Sequence, residues 1–414
     1  MMNKEMTKSL PISKQMVYDS YMKVIEKGGS AGIDKQSIED FNSDLSKNLY
    51  KLWNRMSSGS YFPPAVRTVF IPKKGGGERA LGIPTVSDRI AQGVVKTYLE
   101  PSMEAIFHGS SFGYRPNKSA HDALEQCHQN CIHYAWVIDL DIKGFFDNIN
   151  HELMLDLLGK HTQEKWVLMY VGRWLKSGVE QKDGSIVNRE QGTPQGGVIS
   201  PLLANLYLHH AFDKWLETEH PECKFERYAD DIVIHCESKE ASELLLEKLK
   251  MRMGEFGLTL HPEKTKIVYC KNYQRKDRYT NESFTFLGFD FQPRAMQSKF
   301  GKGSFMVFAG AISKASKVVI REGIRAILPP RRSNGTLESL SAKLNPKIRG
   351  WINYYTKYYK YETLNVFHYL NELLRKWLKV KYKLRSQKSI YHKYRLEQAS
   401  NSDLFYHWKM GIRE

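Results

Sequence analysis

Apolar residues recur along the chain with two different periods, which predict separate helical and extended segments. Within the first 60 residues the spacing is helical, with a break at Gly28–Gly29. A second helical pattern covers 85–107, where Pro101 predicts an interruption. A third covers 201–216 and follows a glycine-rich loop directly. These three regions are therefore predicted to be α-helical.

Alternation of apolar and polar residues indicates the strands. In 135–142 the apolar side chains share one face, and carboxylates lie on the other face near the end of the segment. Further strands are predicted at 66–72 and 284–291, and a hairpin at 225–236. Strands and helices alternate irregularly, and neither a Gly-x-Gly-x-x-Gly motif nor a P-loop occurs. A mixed α+β fold is therefore favoured over a doubly wound sheet.

Positive charge is concentrated in the last third of the chain. Residues 292–414 carry 25 Lys+Arg and 7 Asp+Glu, whereas residues 1–291 carry 37 and 38. This asymmetry is typical of a near-neutral catalytic body joined to a region that binds a polyanion, and the aromatic content favours nucleic acid. After residue 292 the pattern is basic and helical, with a candidate linker at 328–335.

Other features of the composition exclude some classes of protein. No run of 18 apolar residues occurs, so no membrane span is predicted. The N-terminus is polar, so no signal segment is expected. The five cysteines are odd in number and match no zinc-binding spacing, so reduced thiols in a cytoplasmic protein are expected.

The segment Tyr228-Ala229-Asp230-Asp231 places two carboxylates side by side at the start of an apolar strand. Like-charge repulsion makes such a pair costly unless a cation lies beside it. Asp141, at the end of the strand predicted at 135–142, supplies a third carboxylate. This set is typical of a site for two Mg²⁺ ions about 4 Å apart. For the pair alone, an acidic hairpin turn is the alternative.

Seven motifs in a fixed order carry a resemblance to a known family. The most specific is Gly192-Thr-Pro-Gln-Gly-Gly-Val-Ile-Ser-Pro-Leu-Leu-Ala-Asn205. The others lie at 30–34, 59–63, 71–85, 111–116, 286–289 and 345–355. With the three carboxylates, they make the chain similar to the bacterial group II intron-encoded reverse transcriptase-maturases, of the compact kind that lacks an endonuclease domain. The resemblance covers nearly the whole chain.

The resemblance implies an α+β right-hand polymerase fold with fingers and palm, followed by a C-terminal α-helical maturase or thumb domain. Four segments are expected: an N-terminal extension at 1–60, reverse transcriptase fingers and palm at 61–291, a connector at 292–335, and a basic helical thumb and nucleic-acid-binding region at 336–414.

The resemblance also assigns roles to single residues. Asp141, Asp230 and Asp231 are implied to be the catalytic metal ligands. The implied dNTP pocket consists of Lys73, Arg79, Phe146, Gln195 and Lys266, with Lys264 as an alternative to Lys266 at the pyrophosphate. In this pocket Phe146 would exclude a 2′-hydroxyl, and Gln195 would bond the sugar or base edge beside glycines that allow close approach. A plain core aromatic and a simple glycine turn are the structural alternatives.

Aromatic residues from Trp351 to Tyr359 fall on one helical stripe, which favours the packing of an amphipathic helix. The basic residues around this stripe would then face nucleic acid. With two weaker candidates from the body of the chain, the predicted contacts are Arg67, Arg115, Lys347, Arg349, Lys357, Lys360, Arg375, Lys379 and Lys383.

The sequence therefore predicts an RNA-directed DNA polymerase that uses two Mg²⁺ ions, with Mn²⁺ as an alternative metal. The expected partners are an RNA template with a DNA primer, group II intron RNA and target DNA, in a bacterial cytoplasm and away from membranes. Monomer and homodimer both stay open. The implied role is to assist splicing and retrohoming, without DNA cleavage of its own because no Cys/His-rich cluster occurs.

Two alternatives remain at this point. A domesticated relative that serves DNA repair or defence would share these motifs. A non-polymerising, RNA-binding splicing factor would have lost the catalytic carboxylates, and the presence of Asp141, Asp230, Asp231 and Gln195 argues against it.

Overall fold

The structure is a computed structural model that describes residues 9–72, 77–297, 301, 303–328 and 335–412. Helices hold 52% and strands 16% of the residues, so the predicted mixed α+β class is confirmed. The described part of the chain contains no helix that is long and apolar enough to cross a membrane.

Internal contacts divide the chain into two compact units. The first unit comprises residues 1–123 and 140–266, and the second comprises residues 124–139 and 267–414. This division differs from the four segments expected from the sequence, which stay a prediction.

The helices and strands have the following bounds. The helices are α1 Lys14–Lys27, α2 Ile38–Ser43, α3 Leu45–Ser57, α4 Val86–Ile106, α5 Ala120–His133, α6 His151–Gly159, α7 Lys165–Leu175, α8 Ser200–Leu208, α9 Lys214–Glu219, α10 Lys239–Glu255, α11 Lys314–Ile327, α12 Leu337–Tyr355, α13 Lys360–Leu364, α14 His368–Lys381, α15 Gln387–Ser400 and α16 Tyr406–Lys409. The strands are β1 Arg67–Pro72, β2 Glu78–Ile83, β3 Trp136–Asp141, β4 Val179–Glu180, β5 Ile186–Val187, β6 Lys224–Tyr228, β7 Asp231–Cys236, β8 Lys266–Tyr269, β9 Phe284–Phe286, β10 Phe289–Gln297 and β11 Ser304–Ile312.

Helix α4 is the central helix of the first unit and begins at a threonine cap. The Thr85 hydroxyl accepts a hydrogen bond from the Asp88 N–H at 3.1 Å. The helix continues through Pro101, so the predicted interruption is wrong. Pro101 is exposed, and the fully buried neighbours Leu99 and Met103 hold the helix in place despite the missing backbone hydrogen bond.

The hairpin predicted at 225–236 forms as β6 and β7, which pair antiparallel. These strands belong to a four-stranded sheet with the order β6, β7, β3, β8. Asp231 is the first residue of β7 and Asp141 is the last residue of β3, so the two carboxylates lie on adjacent strands. The sheet thereby positions the predicted metal ligands.

The second unit contains a three-stranded antiparallel sheet with the order β11, β10, β9. A single strand was expected at 284–291, but Leu287 (φ +48°) and Gly288 (φ +81°) form a two-residue turn between β9 and β10. Strand β10 then runs on to Gln297 and pairs with β11. The helical pattern expected after residue 292 is therefore wrong for 292–297 and 304–312, which form strands β10 and β11.

The core of the second unit lies between α11, α12, α14 and α16, with Ile324, Leu344, Phe367 and Leu374 fully buried in it. The aromatic stripe packs against the β9–β10 turn. Tyr354 donates its hydroxyl hydrogen to the Leu287 carbonyl at 2.9 Å. Packing, rather than nucleic-acid stacking, therefore accounts for this part of the stripe, as predicted.

Candidate active site

Two carboxylates of the candidate centre lie at the tip of the β6–β7 hairpin. Tyr228 pairs with Asp231 across the ladder, so Ala229 and Asp230 form a two-residue turn. Ala229 has φ +59°, the left-handed conformation that tight turns of twisted hairpins require. The turn holds Asp230 and Asp231 at adjacent positions, and both are half-buried.

Asp141 supplies the third carboxylate. Its Oδ2 accepts a 2.9 Å hydrogen bond from Lys264 Nζ, and its backbone carbonyl accepts one from the His261 N–H at 2.7 Å. The Lys264 side chain is 64% exposed, so solvent screens the pair and its contribution to stability is small. Lys264 thus lies beside a predicted metal ligand, whereas Lys266 begins β8 two residues later.

The electrostatic environment of Asp230 reflects its crowding by another acid. Burial raises the pKa of the Asp230 carboxyl, and the negative charge of Asp141 raises it further. Its own backbone N–H, Arg79 and Arg227 act in the opposite direction. Asp230 therefore lies in the electrostatic field of both a like charge, Asp141, and an opposite charge, Arg79.

A buried ion pair contacts the backbone of the hairpin tip. Arg227 Nε donates to Asp213 Oδ1 at 2.7 Å and Nη2 donates to Asp213 Oδ2 at 2.6 Å, and both side chains are fully buried. Arg227 Nη1 donates to Asn205 Oδ1 at 2.8 Å and to the Ala229 carbonyl at 3.2 Å. Asn205 in turn donates to the Gly113 carbonyl at 2.7 Å. The arginine thus connects the turn to two other elements.

Gly113 packs directly on the backbone of the turn. A Cβ atom at this position would meet the Ala229 backbone nitrogen at 2.4 Å and the Tyr228 carbonyl carbon at 2.9 Å. Only glycine allows this approach. The motif at 111–116 therefore supports the turn of the candidate site through its backbone.

The loop 192–197 carries Gln195 and lies against β2, backbone to backbone. The Gly82 N–H donates to the Gln195 carbonyl at 2.7 Å. Gly196 has φ +120°, and a Cβ atom there would meet the Gly82 carbonyl oxygen at 2.4 Å. Gly82 itself has no room for a side chain, because its Cβ would lie 2.6 Å from Val66 Cγ1. The β1–β2 hairpin and the Gln195 loop therefore fit together only because both contact positions are glycine.

Phe146 lies at the other end of the same loop. Its carbonyl accepts a hydrogen bond from the Thr193 N–H at 2.8 Å. Phe145 is fully buried and stacks edge to face on Phe146, with ring centroids 5.2 Å apart, whereas Phe146 is half-buried. Phe145 is thus the core aromatic of the pair, and Phe146 keeps an accessible surface beside the Gln195 loop.

The β1–β2 hairpin carries the predicted phosphate contacts. Arg79 lies on β2 opposite Ile71 and is exposed. Lys73 lies outside the described residues. Arg67 is half-buried on β1, and its Nε has no hydrogen-bond partner among the described residues.

Arg115 is held by protein groups. Its guanidinium forms an ion pair with Glu104 at 2.9 Å and donates to the carbonyls of His108 and Ser111 at 2.7 and 2.8 Å. Only 6% of the side chain is exposed. These contacts favour a structural role for Arg115 over the nucleic-acid contact predicted from the sequence, because a guanidinium with this many protein partners has little capacity for phosphate.

Tyr114 is a neighbour of the centre that the sequence did not single out. It has φ +59°, its ring centroid lies 6.3 Å from that of Tyr228, and its side chain is more than half exposed. Burial raises the pKa of Tyr114, and the charge of Asp230 adds to this. The feature that distinguishes Tyr114 is its left-handed backbone conformation, which is uncommon for a bulky residue and cannot be predicted from the sequence.

The predicted nucleic-acid contacts of the second unit lie on the helices α12 to α14 and their connections. Arg375 is half-buried and lies over the Tyr391 ring, 4.8 Å from its centroid. Lys357 lies 3.4 Å from the Glu125 carboxylate. The exposed members of the set are Lys347, Arg349, Lys357, Lys360, Lys379 and Lys383.

Comparison with known proteins places this geometry in a family. Residues 71–291 match the family described as reverse transcriptase (RNA-dependent DNA polymerase), and residues 319–395 match the group II intron, maturase-specific domain. The chain therefore belongs to the reverse transcriptases, and it has RNA-directed DNA polymerase activity. Together the two matches make it a group II intron-encoded reverse transcriptase-maturase, as the sequence predicted. Enzymes of this class generally use divalent metal ions.

Two relatives illustrate the similarity. The group II intron-encoded protein LtrA of Lactococcus lactis subsp. cremoris is 26% identical, over 86% of this chain and 71% of LtrA. Protein YkfC of Escherichia coli (strain K12) is 30% identical, over 63% of this chain and 74% of YkfC. A solved structure of telomerase from Candida albicans superposes with a TM-score of 0.47 at 11% identity, over 83% of this chain and 63% of that one. A superposition this loose carries no argument about fold or function.

Proposed function

We propose that the chain copies RNA into DNA at a centre in which Asp141, Asp230 and Asp231 hold two Mg²⁺ ions. The observation that carries this proposal is the meeting of Asp141 and the hairpin tip on adjacent strands, with Asp230 partly desolvated beside a like charge. Carboxylate oxygens are the ligands that Mg²⁺ prefers, so the donor set fits this ion and also Mn²⁺. When bound, the ions would activate the primer 3′-hydroxyl and stabilise the leaving pyrophosphate.

The remaining residues of the proposed centre bind and orient the nucleotide. Arg79 supplies positive charge for the triphosphate from the exposed edge of β2. Gln195 hydrogen-bonds the sugar or base edge from a loop whose Gly196 lets it pack closely on β2. Phe146 packs under the sugar and excludes a 2′-hydroxyl. Lys264 pairs with Asp141, and either Lys264 or Lys266 would contact the pyrophosphate.

Primer extension by the double variant Asp230→Asn/Asp231→Asn tests the catalytic part of this proposal. On poly(rA) primed with oligo(dT), extension should fall by roughly a thousandfold or more, because the amide oxygens cannot replace two anionic ligands. Asp183→Asn, in an exposed turn, is the matched control and should keep full activity. Chelation by EDTA should stop the wild-type enzyme, and added Mg²⁺ should restore it. Extension retained by the double variant would contradict the assignment.

We also propose that the basic surface of the second unit binds group II intron RNA to assist splicing and, at a DNA target, retrohoming in the bacterial cytoplasm. The match to the maturase-specific domain and the exposed basic residues on α12 to α14 support this. Charge neutralisation by Lys347→Ala, Lys379→Ala and Lys383→Ala should weaken RNA binding. The slope of log K for RNA binding against log salt concentration should also become less steep, by about 0.7–0.9 for each phosphate contact that is lost.

A variant with equal loss of charge on the first unit controls this experiment. Lys224, Lys248 and Lys250 are exposed, and their replacement by alanine should leave the salt dependence of intron RNA binding unchanged. If both triple variants weaken binding equally, net charge rather than a defined surface would explain the affinity.

A further inference from the structure

A buried glutamine on α4 connects the Gln195 loop to an aspartate in the core of the first unit. Gln92 Oε1 accepts hydrogen bonds from the backbone N–H groups of Val198, at 2.7 Å, and Ile199, at 3.3 Å. Its Nε2 donates to Asp88 Oδ2 at 2.9 Å. Gln92 is 2% exposed, so it cannot exchange these partners for water.

The orientation of the Gln92 amide is fixed by chemistry. Backbone N–H groups can only donate, so the oxygen of the amide has to face Val198 and Ile199. The amide nitrogen is then left facing Asp88, which has to present an acceptor. Rotating the amide by half a turn would place two donors against two donors on one side and leave Asp88 facing an oxygen on the other.

Asp88 is in turn surrounded by donors. Its Oδ1 accepts from the Tyr61 hydroxyl at 2.9 Å and from the Trp174 indole N–H at 2.7 Å. Both Asp88 oxygens therefore act as acceptors, and a carboxylate satisfies every partner in this network. Burial raises the pKa of Asp88 to about 6, and its hydrogen bonds with Trp174, Tyr61 and Gln92 oppose that shift.

The glycine beside this contact shows how closely the parts fit. A Cβ atom on Gly197 would lie 3.2 Å from Gln92 Oε1 and 2.5 Å from Ser200 Oγ. Ser200 also shares a 2.9 Å hydrogen bond with Thr193, at the start of the loop. The amide of Gln92 therefore contacts the loop where it turns into α8, three residues after Gln195.

We propose that Gln92 is a positioning residue for the polymerase reaction, which sets the shape of the Gln195 loop and receives its own orientation from Asp88. The proposal rests on the proposed role of Gln195 in the nucleotide pocket. Gln92 touches no substrate in this scheme. Its effect is transmitted through the backbone of Val198 and Ile199, so it should alter the binding of dNTP more than the chemical step.

Exchanging the carboxylate and the amide between positions 88 and 92 tests whether the direction of these hydrogen bonds matters. In Asp88→Asn the new amide nitrogen faces the Gln92 nitrogen, and in Gln92→Glu two carboxylates face each other, so each single change leaves a buried mismatch. In the double variant Asp88→Asn/Gln92→Glu, the Asn nitrogen donates to the Glu carboxylate. That carboxylate still accepts from Val198 and Ile199, and the Asn oxygen accepts from Tyr61 and Trp174. The double variant has the same shape and net charge as the wild type.

Each single variant should raise KM for dNTP by about tenfold or more with a smaller change in kcat, and the double variant should return to within about threefold of wild type. Gln15→Glu is the matched control, since Gln15 also bonds an aspartate four residues away on a helix, at 2.7 Å, but on an exposed face. It should change nothing. Unchanged KM in both single variants, or a double variant no better than the worse single one, would overturn the proposal.

Amide hydrogen exchange in the full-length variants gives a second readout that needs no activity. Exchange at Val198 and Ile199 should accelerate in each single variant and slow again in the double variant. Protection that stays unchanged in the single variants would overturn the positioning role. If wild-type protein proved inactive, the proposed function would fail, while this exchange pattern would still decide the inference about Gln92.

Discussion

Arg227 and Asp213 form a two-point ion pair from which water is fully excluded, directly beneath the turn that carries Asp230. Two buried charges are stable together only because each satisfies the other, and removal of one leaves the other uncompensated. The pair therefore couples the stability of the first unit to the geometry of its proposed metal ligands.

Replacing Arg227 by lysine keeps the charge but loses the planar fork that bonds Asp213 and Asn205 together. We expect Arg227→Lys to lower the free energy of unfolding by about 1.5–3 kcal/mol, the cost of losing hydrogen bonds to a charged group, and to reduce primer extension at a temperature where the variant is still folded. Chemical denaturation followed by circular dichroism measures the first effect. Glu247→Gln, which breaks an exposed pair with Lys250, should cost less than about 1 kcal/mol.

Gly196 is expected to tolerate no side chain. Gly196→Ala would place its Cβ 2.4 Å from the Gly82 carbonyl oxygen, so the Gln195 loop and β2 would have to separate. KM for dNTP should rise by on the order of tenfold or more in steady-state extension assays. Gly184→Ala separates this clash from backbone strain, because Gly184 also has positive φ (+85°) but no atom within 4 Å of its Cβ position. It should cost about 1 kcal/mol of stability and leave KM unchanged.

Phe146→Val should admit ribonucleotides. If Phe146 excludes the 2′-hydroxyl, shortening it should raise kcat/KM for rNTP relative to dNTP by on the order of tenfold, as single-nucleotide incorporation would measure. Phe145→Leu is the control, because Phe145 is fully buried and should affect stability rather than sugar selection. Equal changes in discrimination from both variants would mean that Phe146 is simply part of the core.

His407 should make the second unit sensitive to acid. Burial lowers the pKa of His407 to about 3, and its Nε2 is engaged with Asn371 Oδ1 at 2.7 Å. In the unfolded chain an imidazole binds its proton near pH 6.5, so between pH 6.5 and 3 the unfolded state takes up a proton that the folded state refuses. Stability is therefore intact above pH 6.5 and falls as the pH drops, by up to about 5 kcal/mol.

His407→Gln cannot take up this proton. Its free energy of unfolding should therefore decrease less than that of the wild type as the pH falls from 6.5 to 3. Denaturant midpoints measured at half-unit pH intervals would show the difference between the two proteins shrinking or reversing toward low pH. A constant difference across this range would mean that His407 is not the group that titrates.

The sequence predicted the parts of this protein that short-range patterns encode. The β6–β7 hairpin, the fold class and the family all followed from local alternation and from ordered motifs. Pro101 misled the helix prediction because local propensity carries no information about the burial of Leu99 and Met103 on either side. The Leu287–Gly288 turn was missed because phenylalanines recur throughout 284–291 and predict a single strand.

The residues that hold the proposed centre in place could not be predicted from short-range patterns. Arg227 and Asp213 look like ordinary surface charges in the sequence, and Gln92 looks like any polar helix residue. Their roles depend on burial and on partners in distant segments, such as Val198, which lies 106 positions after Gln92 in the chain. Motifs indicated the candidate catalytic residues, while the fold was needed to find the residues that hold them.

The meeting of Gly82 with Gly196 has one more consequence. Arg79 lies three residues before Gly82 on β2, and Gln195 precedes Gly196, so the two ends of the proposed nucleotide pocket are joined by one backbone contact. Recognition of the phosphates and of the sugar would then be coupled. An analogue altered at its phosphates would also change the selectivity of the enzyme for the sugar. The β1–β2 hairpin and the Gln195 loop would then determine nucleotide selectivity together, and a substitution in one of them would alter the contribution of the other.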